Sequence, residues 1–449
     1  MPLRRNIDMT KGPIVANVLL FALPLMLGNI LQQLYTTVDV LVIGNYCDSV
    51  SLAALGTSAQ PVEIMVNFFM GIGTGVSILT AQAVGSGNQS RLKLSVGTAE
   101  TFTFVCGIGV SLLGYLLTPA ILVFMGVPED AFAAARIYTR IVFLGSLGSI
   151  GYNMNAGILR GLGDSRASLI FLMISCSANI IMDLFFVAVL GLDARGVAIA
   201  TSLALYLSWF ISIAYIRRKF PELEYSYLPR RFDAGEMKRI LHIGIPLGIN
   251  SSLFSFGHLA MQSFINAQGS AFMAAQAVAS RITSLSNVAF NAISQSASTF
   301  SGQNYGAGNR ERLREGCVKI PFSSGLFTIA LGLLIYSVHA PILRLFTRDD
   351  IVLFYAERFI VVHFSAQWCF SVFSCINNLI NGTGKIRYTL MINLAMLWCV
   401  RIPAAWLIST FFDGTFVMLA ISISFVFGMV CNIGYLLFSR RWKQVVGRI

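Results

Sequence analysis

Two aspartates interrupt stretches of sequence that are otherwise apolar enough to lie in lipid. Asp39 follows Gln32-Gln33-Leu34-Tyr35-Thr36-Thr37-Val38 in the first stretch, and Asp183 closes Asn179-Ile180-Ile181-Met182 in the fifth. A charged side chain inside a membrane span costs roughly 2.5–3.5 kcal/mol on insertion scales and marks a functional site by default. In a helix ending near residue 190, Asp183 lies about 10 Å below that end at ~1.5 Å per residue. Asp39 sits at a similar depth, and Asn179 lies one turn under Asp183 on the same face. Thr201 falls in the same layer of the sixth stretch. Carboxylate, amide and hydroxyl oxygens together suit a hard cation such as sodium at Asp39, Asn179, Asp183 and Thr201. Two carboxylates held close also titrate as a coupled pair, which makes a proton the other candidate ion. The plainer alternative is that these groups only pair with one another to hold helices together, a task that a neutral asparagine would do more cheaply.

Other polar residues in apolar stretches carry less chemistry. Gln32, Tyr35, Asn153 and Glu63 are candidates to line a substrate cavity, and Glu100 either lines one or pairs with a nearby base. Arg281 and Arg401 are expected to bind carbonyls or pair with acids, and His258 to be a satisfied interior residue. Pro24 and Pro246 interrupt the first and seventh stretches and should bend them, as fixed kinks or as hinges. No His, Cys or acid pattern suggests catalysis or a transition-metal site. Gly382-Thr383-Gly384-Lys385 resembles the end of a phosphate loop, but Leu379 and Ile386 stand where its glycine and hydroxyl residue belong. It reads as a tight turn, as does Gly161-Leu162-Gly163. Gly71-Ile72-Gly73-Thr74-Gly75 reads as a face where a neighbouring helix approaches closely.

These residues must be positioned by helices. Of 449 residues, 56% are hydrophobic and 12% charged, where a soluble protein carries about 25% charged. Mean hydropathy is +0.72. Twelve apolar stretches, from 14–43 to 415–438, are each long enough to span a bilayer, so the expected fold is an all-α membrane protein of about twelve transmembrane helices. The net charge of +12 does not point to nucleic acid, because 24 of the 32 Lys and Arg residues fall on alternate connections. That asymmetry places both termini and the 218–237 linker in the cytoplasm. Arg4 and Arg5 precede the first stretch without a small-residue cleavage site, so it reads as a helix rather than a signal peptide. The eight cysteines form no Cys-x-x-Cys pair, and no disulfide framework is expected. No connection is long enough for a soluble catalytic domain, which argues against an enzyme.

The chain also repeats itself at an offset of 221 residues. Gly85-Ser86-Gly87-Asn88 and Arg91-Leu92 return as Gly306-Ala307-Gly308-Asn309 and Arg312-Leu313, and Gly161, Gly163 and Arg166 return as Gly382, Gly384 and Arg387. Pro24 matches Pro246 one residue out of register. Internal repeats of this kind characterise secondary transporters. The halves are 1–217 and 238–449, six helices each around the linker. Asp39 aligns with Met261, and Asp183 falls between Arg401 and Ala404, so only the first half is equipped for a cation.

Taken together, Thr10-Lys11-Gly12-Pro13, Ala22-Leu23-Pro24, Gln32 to Asp39, Asn155 to Asp164, Gly196 to Thr201 and Gly302-Gln303-Asn304-Tyr305-Gly306 resemble the multidrug and toxic compound extrusion (MATE) family over essentially the whole chain. The resemblance implies two six-helix lobes facing a central cleft, with export driven by inward proton or sodium flow. It matches the branch whose N-lobe cation site corresponds to Asp39, Asn179, Asp183 and Thr201, with Gln32 and Asn153 nearby and a bending proline at Pro24. The C-lobe acids of another branch are missing. The expected activity is therefore a proton- or sodium-coupled antiporter, exporting amphipathic or cationic organic compounds by alternating access. It would act without cofactor or nucleic acid, as a lipid-embedded monomer in the cell membrane. A lipid-linked oligosaccharide flippase would favour a cationic cavity, and an uncoupled channel is the alternative from another class.

Overall fold

The computed structural model describes residues 7–47 and 49–446, with side chains except those at 36, 49–60, 130 and 285. Arg4, Arg5 and Arg448 of the charge asymmetry lie outside the described residues, as does Asp48.

Every apolar stretch lies in a helix. In the first half these are α1 (Ile14–Tyr46), α2 (Ser49–Gly85), α3 (Gln89–Phe124), α4 (Glu129–Gly161), α5 (Ser165–Val189) and α6 (Asp193–Lys219). The second half holds α7 (Ala234–Asn266), α8 (Ser270–Gly306), α9 (Arg310–Phe346), α10 (Asp350–Gly382), α11 (Ile386–Phe411), α12 (Leu419–Phe438) and the short α13 (Arg440–Val446). Helices are required here because lipid offers backbone groups no hydrogen-bond partner. Among the described residues ten helices are long and apolar enough to cross a membrane. The other two, α4 and α8, match them in length at 33 and 37 residues but carry more polar side chains. The reason is position: α4 packs against α2, α3 and α6, and α8 against α9 and α10, so fewer of their faces need to be apolar. Both α5 and α11 loosen into a π turn, at Leu184–Val189 and Ala395–Arg401.

The repeat reappears as duplicated turns. Asn88 and Asn309 cap α3 and α9 by accepting from the backbone of Arg91 and Arg312, at 2.9 and 3.2 Å. Gly163 and Gly384 take φ of +85° and +82° between successive helices, so the apparent phosphate loop is a turn whose conformation favours glycine.

The described residues group into two compact units, one of residues 27–251 and the other of 7–26 with 252–446. Helices α1 and α7 each contribute to both, changing unit just after Pro24 and Pro246. In the first unit, Arg91 reaches Glu236 at the start of α7 (3.4 Å), and Ser95 donates to the same carboxylate at 2.6 Å. The linker is tied to α3 by Thr101, whose hydroxyl donates to the Arg231 carbonyl at 2.7 Å. Glu224 pairs with Lys93 at 2.8 Å and with Arg231. The Lys93 bond and the Arg231 charge hold its carboxyl below the ordinary range. In the second unit, the repeat-related Arg312 donates to the carbonyls of Met9 and Lys11 at 3.0 and 2.9 Å. Gln303 accepts from the Met9 N–H at 2.9 Å. Phe21 of α1, Phe300 of α8, Leu379 of α10 and Trp442 of α13 share this unit's core.

The glycines of α2 do what their spacing suggests. A Cβ on Gly71 would stand 2.5 Å from the Gly248 nitrogen, and one on Gly75 2.8 Å from the Gly244 Cα. Backbone meets backbone there, with no flexible side chain to yield. Gly71→Ala should therefore destabilise the protein by about 1–3 kcal/mol, the usual cost of overpacking. Gly109→Ala, with nothing within 4 Å of its Cβ, should not. Thermal unfolding of the two variants in detergent checks the contrast.

Candidate functional site

Three helices bring the sequence-singled oxygens together. Val42 and Ile43 of α1 pack with Val187 of α5 and Val197 of α6 in a small buried cluster, with Val38 against it. This cluster fixes α1 beside α5 one turn beyond Asp39. Below it, the Cys176 thiol faces the Leu31 carbonyl at 3.8 Å. Ser175 and Ser208 staple α5 to α6 by donating to the carbonyls of Ala204 and Phe171, at 3.0 and 3.1 Å. Asp183 ends the regular part of α5, and the π turn begins at the next residue. Such turns recur at functional sites.

The carboxyl groups of Asp39 and Asp183 lie within hydrogen-bonding reach of each other. Asp183 is 0% exposed and Asn179 2%. The Asn179 amide donates to Thr201 Oγ at 3.4 Å, a long bond. Among the described residues, both Asp183 oxygens, Asp39 Oδ1 and Asn179 Oδ1 are buried without a hydrogen-bond donor. Four unmet acceptors in one place are costly, and two ionised carboxylates cannot rest side by side there uncompensated. A proton on one carboxyl would make it a donor to the other. A small hard cation would also suit carboxylate and amide oxygens of this kind. The donor set thus fits either ion.

Sequence reasoning missed Tyr138 of α4. It is buried and lies within electrostatic reach of Asp39, Asp183 and Tyr35. Its depth, nine residues into a helix entering from the same face, was the only clue, and depth does not say which way a side chain points. Tyr35 is half-buried one turn before Asp39, and Gln32 is exposed two turns before it. Asn153 is half-buried and donates to the Ser149 carbonyl of its own helix at 2.9 Å. Glu63 is exposed and accepts a bond from the Asn67 amide at 3.5 Å. No hydrogen bond or ion pair links Asn153 or Glu63 to the carboxylate pair among the described residues. Pro24 is buried and Pro246 half-buried within continuous helices. Glu100 is buried near Arg217 and Arg230.

Two expectations in the second half are corrected. Among the described residues Arg401 pairs with neither acid nor carbonyl; its Nε donates to Ser424 Oγ at 3.0 Å, and its guanidinium lies over the Phe425 ring at 5.3 Å. No acid of this half lies deep enough in a helix to meet it. His258 is exposed rather than interior, although it lies within electrostatic reach of the buried Arg401.

The MatE family model matches twice, over residues 24–185 and 246–407. A probable multidrug resistance protein of Bacillus subtilis, YoeA, is 27% identical, covering 97% of this chain and 96% of its own. The multidrug export protein MepA of Staphylococcus aureus is 20% identical, covering 92% and 91%. The fold is shared with the Vibrio cholerae MATE transporter VcmN in its bent form (TM-score 0.88, 20% identity, 96% and 98% covered). It is shared also with a MATE structure in the straight conformation (TM-score 0.90, 18% identity, 98% and 99% covered). The two matched segments are separated by 222 residues, 24 to 246, as are the two prolines that open them. With its all-helical, multi-pass fold and its doubled family match, this chain belongs to the MATE family of membrane transporters.

Proposed function

We propose that this protein is a proton- or sodium-coupled antiporter that exports amphipathic or cationic organic compounds from the cell by alternating access. The supporting observation is the cluster of four donorless buried oxygens on Asp39, Asp183 and Asn179. Such a cluster is unstable empty and is relieved by a proton or a sodium ion, with Thr201 as a further oxygen ligand. In this reading the chain is two six-helix lobes, 1–217 and 238–449, joined by the cytoplasmic linker 218–237. It works as a monomer in the cell membrane with both termini inside. The multidrug names of its relatives support a drug-like substrate.

An antiporter must link drug release to ion entry, and shared charge supplies that link. With both carboxyl groups ionised, the first lobe attracts a cationic drug. An ion arriving from outside cancels that charge and weakens the drug's hold. A ligand shifts a conformational balance only through different affinities for the two states, so the ion must also favour the form that returns inward. The drug must then weaken ion binding by the same factor. Tyr35, Gln32, Asn153 and Glu63 are assigned to the substrate path, and Pro24 and Pro246 to the bending of α1 and α7 as the compact units are crossed.

Asp39→Asn and Asp183→Asn keep side-chain size while removing the charge. Both variants should fold and reach the membrane, yet lose gradient-driven efflux from proteoliposomes down to the level of empty vesicles. Efflux matching the parent's would dismiss the assignment. Imposing a sodium gradient and a pH gradient separately on the parent should show drug efflux following one of them. Efflux indifferent to both would point to a channel instead.

Pro24→Ala restores a backbone hydrogen bond in α1 and should stiffen it. Transport should slow several-fold while drug affinity changes by less than about twofold, the pattern of an impaired conformational step. Stopped-flow efflux and equilibrium drug binding on the same variant separate the two, and an unchanged rate would leave Pro24 a passive kink.

A further inference from the structure

The second unit holds a buried charge that no carboxylate answers among the described residues. Arg401 ends the π turn of α11 and is 3% exposed, deep in a membrane-crossing helix. A guanidinium carries five N–H donors. One of them, on Nε, is used by Ser424 of α12, and one face of the plane is covered by Phe425. Among the described residues no carboxylate pairs with it, and no acceptor meets its Nη groups. The acids of this unit stand at or near helix ends, at Asp8 ahead of α1 and at Glu311, Glu315, Asp349, Asp350, Glu357 and Asp413. The ionisable neighbours within electrostatic reach are His258 of α7 and His363 of α10. An imidazole is neutral or positive but never negative. His363 Nε2 is itself buried with no partner. Leaving a buried charge unpaired is strongly unfavourable, so this arrangement of one fixed cation, a hydroxyl and an unpartnered ring nitrogen is a receptor lacking its anion.

We propose that Arg401, with Ser424 and His363, binds the carboxylate of an amphipathic organic acid. Ser424 and the Phe425 ring hold the guanidinium plane still, which leaves the Nη edge free to receive two carboxylate oxygens in the fork geometry that arginine favours. Phe425 stacks on Phe370 at 4.4 Å, and Phe370 in turn meets Phe373. These rings offer an apolar wall for the rest of the ligand. The site lies wholly within the second unit and uses none of the residues assigned to ion coupling. It widens the expected substrates from cations to organic acids and zwitterions, the acid group being read by the second half.

The test is equilibrium binding to the purified full chain in detergent, with no ion gradient, so it stands whether or not transport proves ion-coupled. The probes are 2-naphthoate and its uncharged counterpart 2-naphthamide, followed by their fluorescence. The parent should bind the acid at least about tenfold more tightly than the amide, as expected when a hydrogen bond to a charged group is gained. Arg401→Gln should erase that preference while leaving amide binding intact, and Arg401→Lys should keep only part of it. A second measurement needs no substitution: phenylglyoxal labelling of Arg401, read by mass spectrometry, should be slowed by the acid and not by the amide. Equal affinity of the parent for both probes, a full preference in Arg401→Gln, or labelling that the acid does not slow would each overturn the proposal.

Discussion

The structure depends on an exchange. Each half of the chain lends the first part of its first helix to the compact unit formed by the other half. Two repeat-related arginines secure the loan: Arg91 at the start of α7 through Glu236, and Arg312 at the start of α1 through the Met9 and Lys11 carbonyls. The contacts differ in kind, side chain to side chain in one case and side chain to backbone in the other. The task is the same. Because Pro24 and Pro246 sit just before the points where α1 and α7 change unit, each helix is weakest in backbone bonding near the place where its packing partners change.

Elsewhere much of the interior polarity is satisfied, although Thr80, Ser286 and Gln367 among others also keep a buried polar atom without a partner among the described residues. Serine, threonine and asparagine side chains inside the helices mostly find carbonyls or one another, as in the Ser111–Ser146 pair at 2.9 Å and the Ser324–Ser371 pair at 2.6 Å. Asn377, Asn393 and Asn432 form a chain of amide bonds in the second unit at 2.9 Å each. The unmatched charges differ in sign between the two units. The first unit leaves acceptors unmet at Asp39, Asp183 and Asn179, and the second leaves donors unmet at Arg401. One half is short of positive charge and the other is short of negative charge, although both descend from the same repeated pattern. Repeat symmetry has kept the scaffold and let the polarity diverge.

Much of this was legible in the sequence, for identifiable reasons. The helices follow from apolar length, and the duplicated turns from glycine and asparagine at a fixed offset. The Asp39–Asn179–Asp183–Thr201 layer follows from counting residues in from helix ends. Helices α4 and α8 count among the twelve although they are more polar than the rest, because a helix enclosed by others escapes the demand that lipid makes on its surface. Orientation around the helix axis was not legible. Depth alone could not show that Tyr138 lies beside the carboxylates, that His258 is exposed, or that Arg401 finds Ser424 instead of an acid. The exchange of α1 and α7 was equally hidden, since a repeat in sequence reports similarity between halves and not which half a segment packs with.

Synthesis proceeds in one direction, and the exchange gives that a consequence. The first part of α1 emerges early, yet its partners in the second unit, Phe300, Leu379 and Trp442, lie on α8, α10 and α13. Until those helices are inserted, Phe21 and its neighbours have only lipid or transient contacts. Helix α1 is thus made before the helices that house its first part, and that part reaches its final surroundings only after them. A chain interrupted late in translation would hold the paired carboxyl groups of Asp39 and Asp183 while the first part of α1 remained half-housed. That unfinished helix is a feature by which a membrane quality-control protease could tell a partial product from a complete one.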